Sequence, residues 1–201
     1  MDSTFKFPIL NPPKNIIFLD VDGVLNHELF FRARYEKLKK QNNIPMFRVV
    51  KRYLRKLVKS KEIGTLDFYK RQFDPERITW LNDLCEATDS AVVLSASMRS
   101  RWTPLQLNRI FQHAGATFTV IDKTGHSESR IRGVEIHEWL KTNCPYWFGV
   151  NYYDFYRYVI IDDDGDMLLW QQDHFFQTDN YAGLTPNICY KIKRYLTHKT
   201  F

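Results

Sequence analysis

No stretch of this chain approaches the roughly 20 consecutive apolar residues of a membrane-spanning helix, so the pattern holds no such span. The opening residues, MDSTFKFPILNPPKN, lack the basic-then-apolar order of an export signal, and a cytoplasmic setting is expected. Cysteine is scarce. Cys85, Cys144 and Cys189 are scattered and odd in number, which argues against a disulfide framework and against a zinc site, and fits a reducing compartment. The six histidines show no metal-ligand spacing, and there is neither an internal repeat nor a low-complexity tract. What is present is a normal core composition: 44% hydrophobic and 15% aromatic residues in 201, enough for one domain with room for an inserted lobe.

The net charge of +6 is unevenly spread. Residues 27–72 hold 14 Lys and Arg against 4 Asp and Glu, which leaves 15 against 19 for the rest of the chain. A basic segment is thus grafted onto a mildly acidic body, and a polyanionic partner is the natural expectation.

Short apolar runs rich in Val and Ile read as strands covered on both faces: NIIFL, AVVLS, TFTVI, YVII and, more weakly, HFFQT. Helices fall between them. Asp74-Pro75, Thr103-Pro104 and Thr185-Pro186 each pair a capping side chain with a proline at the first helical position. Behind them, Ile78, Leu81, Leu84 and Cys85, then Leu105, Leu107, Ile110 and Phe111, recur at helical spacing, as do Ile136, Trp139 and Leu140. This alternation predicts an α/β fold: a Rossmann-like open, mostly parallel sheet. Residues 27–72 interrupt it with two helical patterns, FFRARYEKLKKQ and FRVVKRYLRKLVKS, joined around NNIPM. So long a connection predicts a helical basic insertion after the first strand, with 1–26 and 73–201 forming the core.

In such sheets ligands bind beyond the carboxyl ends of the strands. The run IIFL ends in Asp20 and Asp22, VVL ends in Ser95, and YVII ends in Asp162 and Asp163. If these strands are neighbours, one hydroxyl and at least four carboxylates converge. Crowded carboxylates need protons or a cation, and an all-oxygen ligand set favours Mg²⁺. Beside such an ion Asp20 is placed to attack a phosphoryl group, and Asp22 to give the leaving oxygen a proton and later take one from water. Gly23 permits the sharp turn between strand and loop.

The segments FLDVDGVLN, FDPERITWLNDL, VVLSASMRS, RGVEIHEWL, VIIDDDGDM and GLT, in this order, resemble haloacid-dehalogenase-like (HAD) phosphatases, and in finer detail the HAD domain of Swiss Army knife RNA-repair proteins. The likeness covers nearly everything except residues 1–14 and the basic lobe. It implies Asp20 as the phosphate-accepting nucleophile and Asp22 as general acid/base whose main-chain carbonyl also binds the metal. It implies Ser95 and the Ala96 N–H as ligands of the phosphoryl oxygens, Asp162 as a metal ligand and Asp163 as its support. Arg132, with Arg130 as rival, is the implied basic residue that orients Asp20 and neutralises phosphate. One departure is Met98, where the family often places a tryptophan before the arginine that is here Arg99.

The expected function is therefore a Mg²⁺-dependent phosphomonoesterase working through an aspartyl-phosphate, with the lobe as a cap over the site. The basic charge and the likeness together point to the phosphorylated end of RNA or DNA, a 3′-phosphate by preference. Lys51, Arg52, Arg55 and Lys56 are the nucleic-acid-binding candidates. Phe30, Phe31, Tyr35 and Tyr53 suit either stacking on bases or a core. Two alternatives stand beside this reading: a phosphatase of small metabolites or nucleotides, and a non-catalytic nucleic-acid-binding module on the same fold.

Overall fold

The structure is a computed structural model and describes residues 12–42 and 62–198. Its frame is one five-stranded sheet, every pairing parallel, with spatial order β3-β2-β1-β4-β5. The strands are β1 (Asn15–Leu19), β2 (Ser90–Leu94), β3 (Val120–Lys123), β4 (Tyr158–Asp162) and β5 (Phe175–Gln177). In the central strand β1, Ile16 to Leu19 are wholly inaccessible to solvent.

Alternate side chains leave opposite faces of a strand, and both faces here are covered. Ile17, Leu19, Val92, Leu94, Val159 and Ile161 pack on one side with the helices α3 (Pro75–Thr88), α4 (Pro104–His113) and α6 (Pro186–His198). Ile16, Phe18, Val93 and Ile160 pack on the other with Ile136, Trp139, Leu140 and Cys144 of α5 (Arg132–Phe148). Each such aliphatic or aromatic side chain stabilises the fold by about 1.5–3 kcal/mol on burial. That is why runs lacking polar alternation make strands here.

The capping signals are realised. Asp74 accepts the Glu76 N–H at 3.0 Å, and Thr103 forms a reciprocal capping box with Gln106. Thr185 Oγ1 accepts the Ile188 N–H at 3.3 Å. Two details differ from expectation. Leu105 is 66% exposed, because it lies two residues before Leu107 and so off the buried stripe that Leu107, Ile110 and Phe111 form. The strand expected at Thr117–Ile121 begins only at Val120; ahead of it Asn82 Oδ1 accepts the Thr117 N–H at 2.8 Å and Asn82 Nδ2 donates to the Gly115 carbonyl at 3.0 Å. Phe118 still enters the core, from a loop.

Of the basic segment, two helices are described, α1 (Glu28–Asn42) and α2 (Glu62–Lys70). Lys51, Arg52, Tyr53, Arg55 and Lys56 lie outside the described residues. Leu66 and Tyr69 of α2 pack on the core. His27, at the segment's first position, is buried with Nε2 2.9 Å from Asp74 Oδ2. Phe31 is exposed, and Phe30 and Tyr35 are half-buried.

Candidate active site

Strand register builds the site. Leu19 is level with Leu94 on one side and Ile161 on the other. The next residue of each strand is Asp20, Ser95 or Asp162, so three side chains from distant parts of the chain emerge at one height. Backbone bonds lock that level: Asp20 N–H donates to the Ile161 carbonyl and Ser95 N–H to the Leu19 carbonyl, both at 2.9 Å. The site sits where the strand order reverses direction around β1, the usual ligand position in open α/β sheets.

Asp20, Asp162 and Asp163 each place a carboxylate oxygen within 4.8 Å of the others. Asp163, expected as a support for Asp162, thus has its own carboxylate within the cluster. Gly23 admits it: the glycine has φ +72, and a Cβ there would fall 2.3 Å from the Asp163 carboxyl carbon. The Asp22 carboxylate stands outside the group of three and is exposed. Asn26 fixes it, donating from Nδ2 to Asp22 Oδ1 at 2.8 Å while its own Oδ1 accepts the Gly23 N–H at 3.2 Å.

Arg132 reaches the acids, with Nη2 3.3 Å from Asp20 Oδ1 and Nε 3.3 Å from Asp162 Oδ2. Arg130 does not; it is exposed with a left-handed φ of 56°. The acid loop itself places Arg132. Ile131, just before α5, offers no capping side chain, and Asp166 supplies the missing acceptors: Oδ2 takes the Arg132 N–H at 2.8 Å and its carbonyl takes the Gly133 N–H at 3.2 Å. A Cβ on Gly133 would lie 2.5 Å from Leu168 N, so helix and loop are in backbone contact. The buried Gln171 ties them further, donating to the Gly133 carbonyl at 2.9 Å and accepting the Leu168 N–H at 3.0 Å.

Three carboxylates against one guanidinium is an unbalanced site. Burial, and then the neighbouring Asp162, push the Asp20 carboxyl up to about 8, against the pull of Arg132 and with further repulsion from Asp22 and Asp163. Burial raises Asp162 to about 6, with Arg132 and the Asp164 N–H opposing, and burial also raises Asp163. Three buried polar atoms here lack a hydrogen-bond partner: Ser95 Oγ, Arg132 Nη1 and Asp162 Oδ2. Buried polar atoms without partners are rare. Asp162 Oδ2, which faces the Arg132 guanidinium as an ion pair without a hydrogen bond and stands beside two other carboxylates, fits a hard divalent cation bound through oxygen. The orphaned hydroxyl and guanidinium N–H fit an oxyanion.

A second arginine, the buried Arg99, underlies the site. Its Nη1 donates to the Ser95 carbonyl and its Nη2 pairs with Glu135 Oε2, one turn along α5 from Arg132. Burial and the nearby Arg132 lower its pKa, while Glu135, Asp20 and Asp162 oppose the shift. Glu135 also accepts the Ser127 N–H at 3.2 Å. Arg99, Glu135, Asn26 and Asp166 all fall inside the quoted motif segments, but the motifs assign none of them a role in the site. Glu135 had a signal, as a carboxylate on the apolar stripe beside Ile136. Asp22 and Ala96 open on a cavity of about 310 Å³ bounded by α2 and the turn Ser97–Ser100.

The family model described as the HAD domain in Swiss Army Knife RNA repair proteins matches residues 16–188. No curated protein and no solved structure matches the chain.

Proposed function

The chain belongs to the HAD domains of Swiss Army Knife RNA repair proteins, and on that footing we propose that it is a Mg²⁺-dependent phosphomonoesterase for the phosphorylated ends of nucleic acids. The observation that carries the reading is the level emergence of Asp20, Ser95 and Asp162 from adjacent strands, with Arg132 bridging the two acids.

In this reading the phosphoryl oxygens accept hydrogen bonds from the Ser95 hydroxyl, the Ala96 N–H and Arg132, which satisfies two of the orphaned donors. An Asp20 carboxylate oxygen bonds to phosphorus, and the bond from phosphorus to the leaving oxygen breaks. Asp22 donates its proton to that oxygen. Water then attacks the aspartyl-phosphate as Asp22 takes the water's proton. The bond to Asp20 breaks, which restores the carboxylate and frees inorganic phosphate. Asp20, Asp162 and Asp163, with the main-chain carbonyl of Asp22, would hold Mg²⁺, whose charge offsets the crowding of the acids and of the phosphoryl group.

Residues 27–72 serve here as a basic cap, and their charge favours a polyanionic substrate, a terminal 3′-phosphate being the specific assignment. The test compares phosphate release from 3′-phosphorylated oligonucleotides, 5′-phosphorylated ones and free nucleotides at low and high salt, with and without Mg²⁺. Asp20→Asn should abolish release from all of them. Equal rates on the three substrates with no salt effect would refute end recognition. RNA binding without hydrolysis by the wild-type protein would leave a binding module instead.

A further inference from the structure

We propose that the cavity between Asp22, α2 and the turn after Ser95 is a leaving-group subsite. It seats the terminal nucleoside of the substrate, with the base against Phe68 and the adjoining phosphodiester at Arg101. The inference rests on the phosphatase reading and deepens it.

Direction comes first. Asp22, the acid that protonates the leaving oxygen in that reading, lines the cavity with Ala96, whereas Asp20, Ser95 and Arg132 do not. Asn26 holds Asp22 at the cavity wall. A leaving oxygen within reach of Asp22 has to carry its substituent into this space. At about 310 Å³ the space is at the small end of ligand sites, which suits one nucleoside and not a duplex.

The lining then selects the chemistry. One wall is an aromatic column rooted in the core: Phe68 stands edge-on to Tyr69 at 5.2 Å, Tyr69 stacks on Phe73 at 6.2 Å, and Phe73 stacks on the buried Phe111 at 5.1 Å. The Tyr69 hydroxyl accepts the Trp102 Nε1–H at 3.1 Å, so the wall is fixed before any ligand arrives. Phe68 and Met98, both half-buried, face the space with apolar surface suited to a flat base. Among the described residues, neither the Gln72 amide nor the Arg101 guanidinium has a side-chain partner. Gln72 is thus available to a base edge or ribose hydroxyl, and exposed Arg101 to the next phosphate of the strand. Asp22 is the one acid among the lining residues, so the subsite does not repel that phosphate beyond the catalytic group itself.

The experiment measures kcat/KM for glycerol 2-phosphate, adenosine 3′- and 5′-monophosphates, a 3′-phosphorylated dinucleotide and phosphotyrosine. Phe68→Ala should lower the ratio of nucleotide to glycerol phosphate by about 5- to 150-fold, the range of one base–aromatic stack, and Phe68→Tyr should restore it. Arg101→Gln, at an exposed position, should lower the dinucleotide-to-mononucleotide ratio, and raising the salt should shrink that effect. Ratios unchanged within about twofold in both variants, or phosphotyrosine preferred over every nucleotide by the wild type, would overturn the subsite. If the wild type hydrolyses none of the esters, the phosphatase reading fails separately. Titration of the same nucleotides into the Asp20→Asn protein then decides the subsite: binding weakened by Phe68→Ala keeps it, and no binding removes it.

Discussion

The acid cluster makes the protein without divalent cation less stable as pH rises. Asp20 has a folded pKa of about 8 against an ordinary 3.8, and Asp162 about 6. Between 3.8 and 8 the folded state therefore binds more protons than the unfolded chain, and stability falls with pH throughout that window. Below it both states are protonated and the penalty is absent; above it the penalty is complete. At 1.36 kcal/mol per pKa unit, Asp20 alone costs on the order of 5 kcal/mol at pH 8.5. That is a large part of the 5–15 kcal/mol typical of a domain, roughly. Urea unfolding in a chelator should give a midpoint that drops steadily from pH 5 to pH 8.5. Asp20→Asn removes the buried charge and keeps the shape, so it should flatten the profile and unfold at higher urea than wild type at pH 8.5. Mg²⁺ at 100 times its Kd should return about 2.7 kcal/mol to the wild type and less to the variant. A wild-type midpoint that rises with pH across this window, or an Asn variant weaker than wild type at pH 8.5, would refute the argument.

Arg132→Ala should lower kcat by about 10²–10³-fold, the usual cost of one donor to a developing oxyanion, whereas Arg130→Ala should stay within about threefold of wild type in the same steady-state assay. Glu135→Ala strands the buried Arg99 charge and should cost about 3–5 kcal/mol by urea unfolding; it should also lower kcat, because Arg99 holds the Ser95 carbonyl. Gly23→Ala combines a φ of +72 with a Cβ overlapping the Asp163 carboxyl, and should weaken Mg²⁺ binding in a calorimetric titration more than it lowers stability. Charge reversal of Lys51, Arg52, Arg55 and Lys56 should weaken oligonucleotide binding and flatten its salt dependence, by about 0.7 in log–log slope per lost single-strand phosphate contact, with little effect on glycerol 2-phosphate.

How much of this was legible in the sequence follows from which interactions are local. An apolar run that stops at an acid is a one-dimensional signal, and it marks Asp20, Asp22, Asp162 and Asp163 as candidates. Ser95, a hydroxyl at a strand end, is marked by its place in the motif series. That three such ends share one level is a matter of register. It is carried by pairings such as Leu19 with Leu94 and Ile161, which no single segment encodes. The choice between Arg130 and Arg132 illustrates the limit. The two are separated by one residue, and only the start of α5 divides them: Arg132 opens the helix and turns inward, while Arg130 sits in a left-handed turn and faces water. That start is set by Asp166, which lies 34 positions away. The spacing between motifs therefore carries little of the chemistry. The sheet fixes where Asp20, Ser95 and Asp162 emerge; Asn26 holds Asp22 locally, Arg99 ties the Ser95 carbonyl to Glu135 of α5, and Asp166 sets the start of the helix that carries Arg132. Register ties these residues across the sheet and not along the chain: 75 positions separate Asp20 from Ser95, yet the two leave adjacent strands at one level.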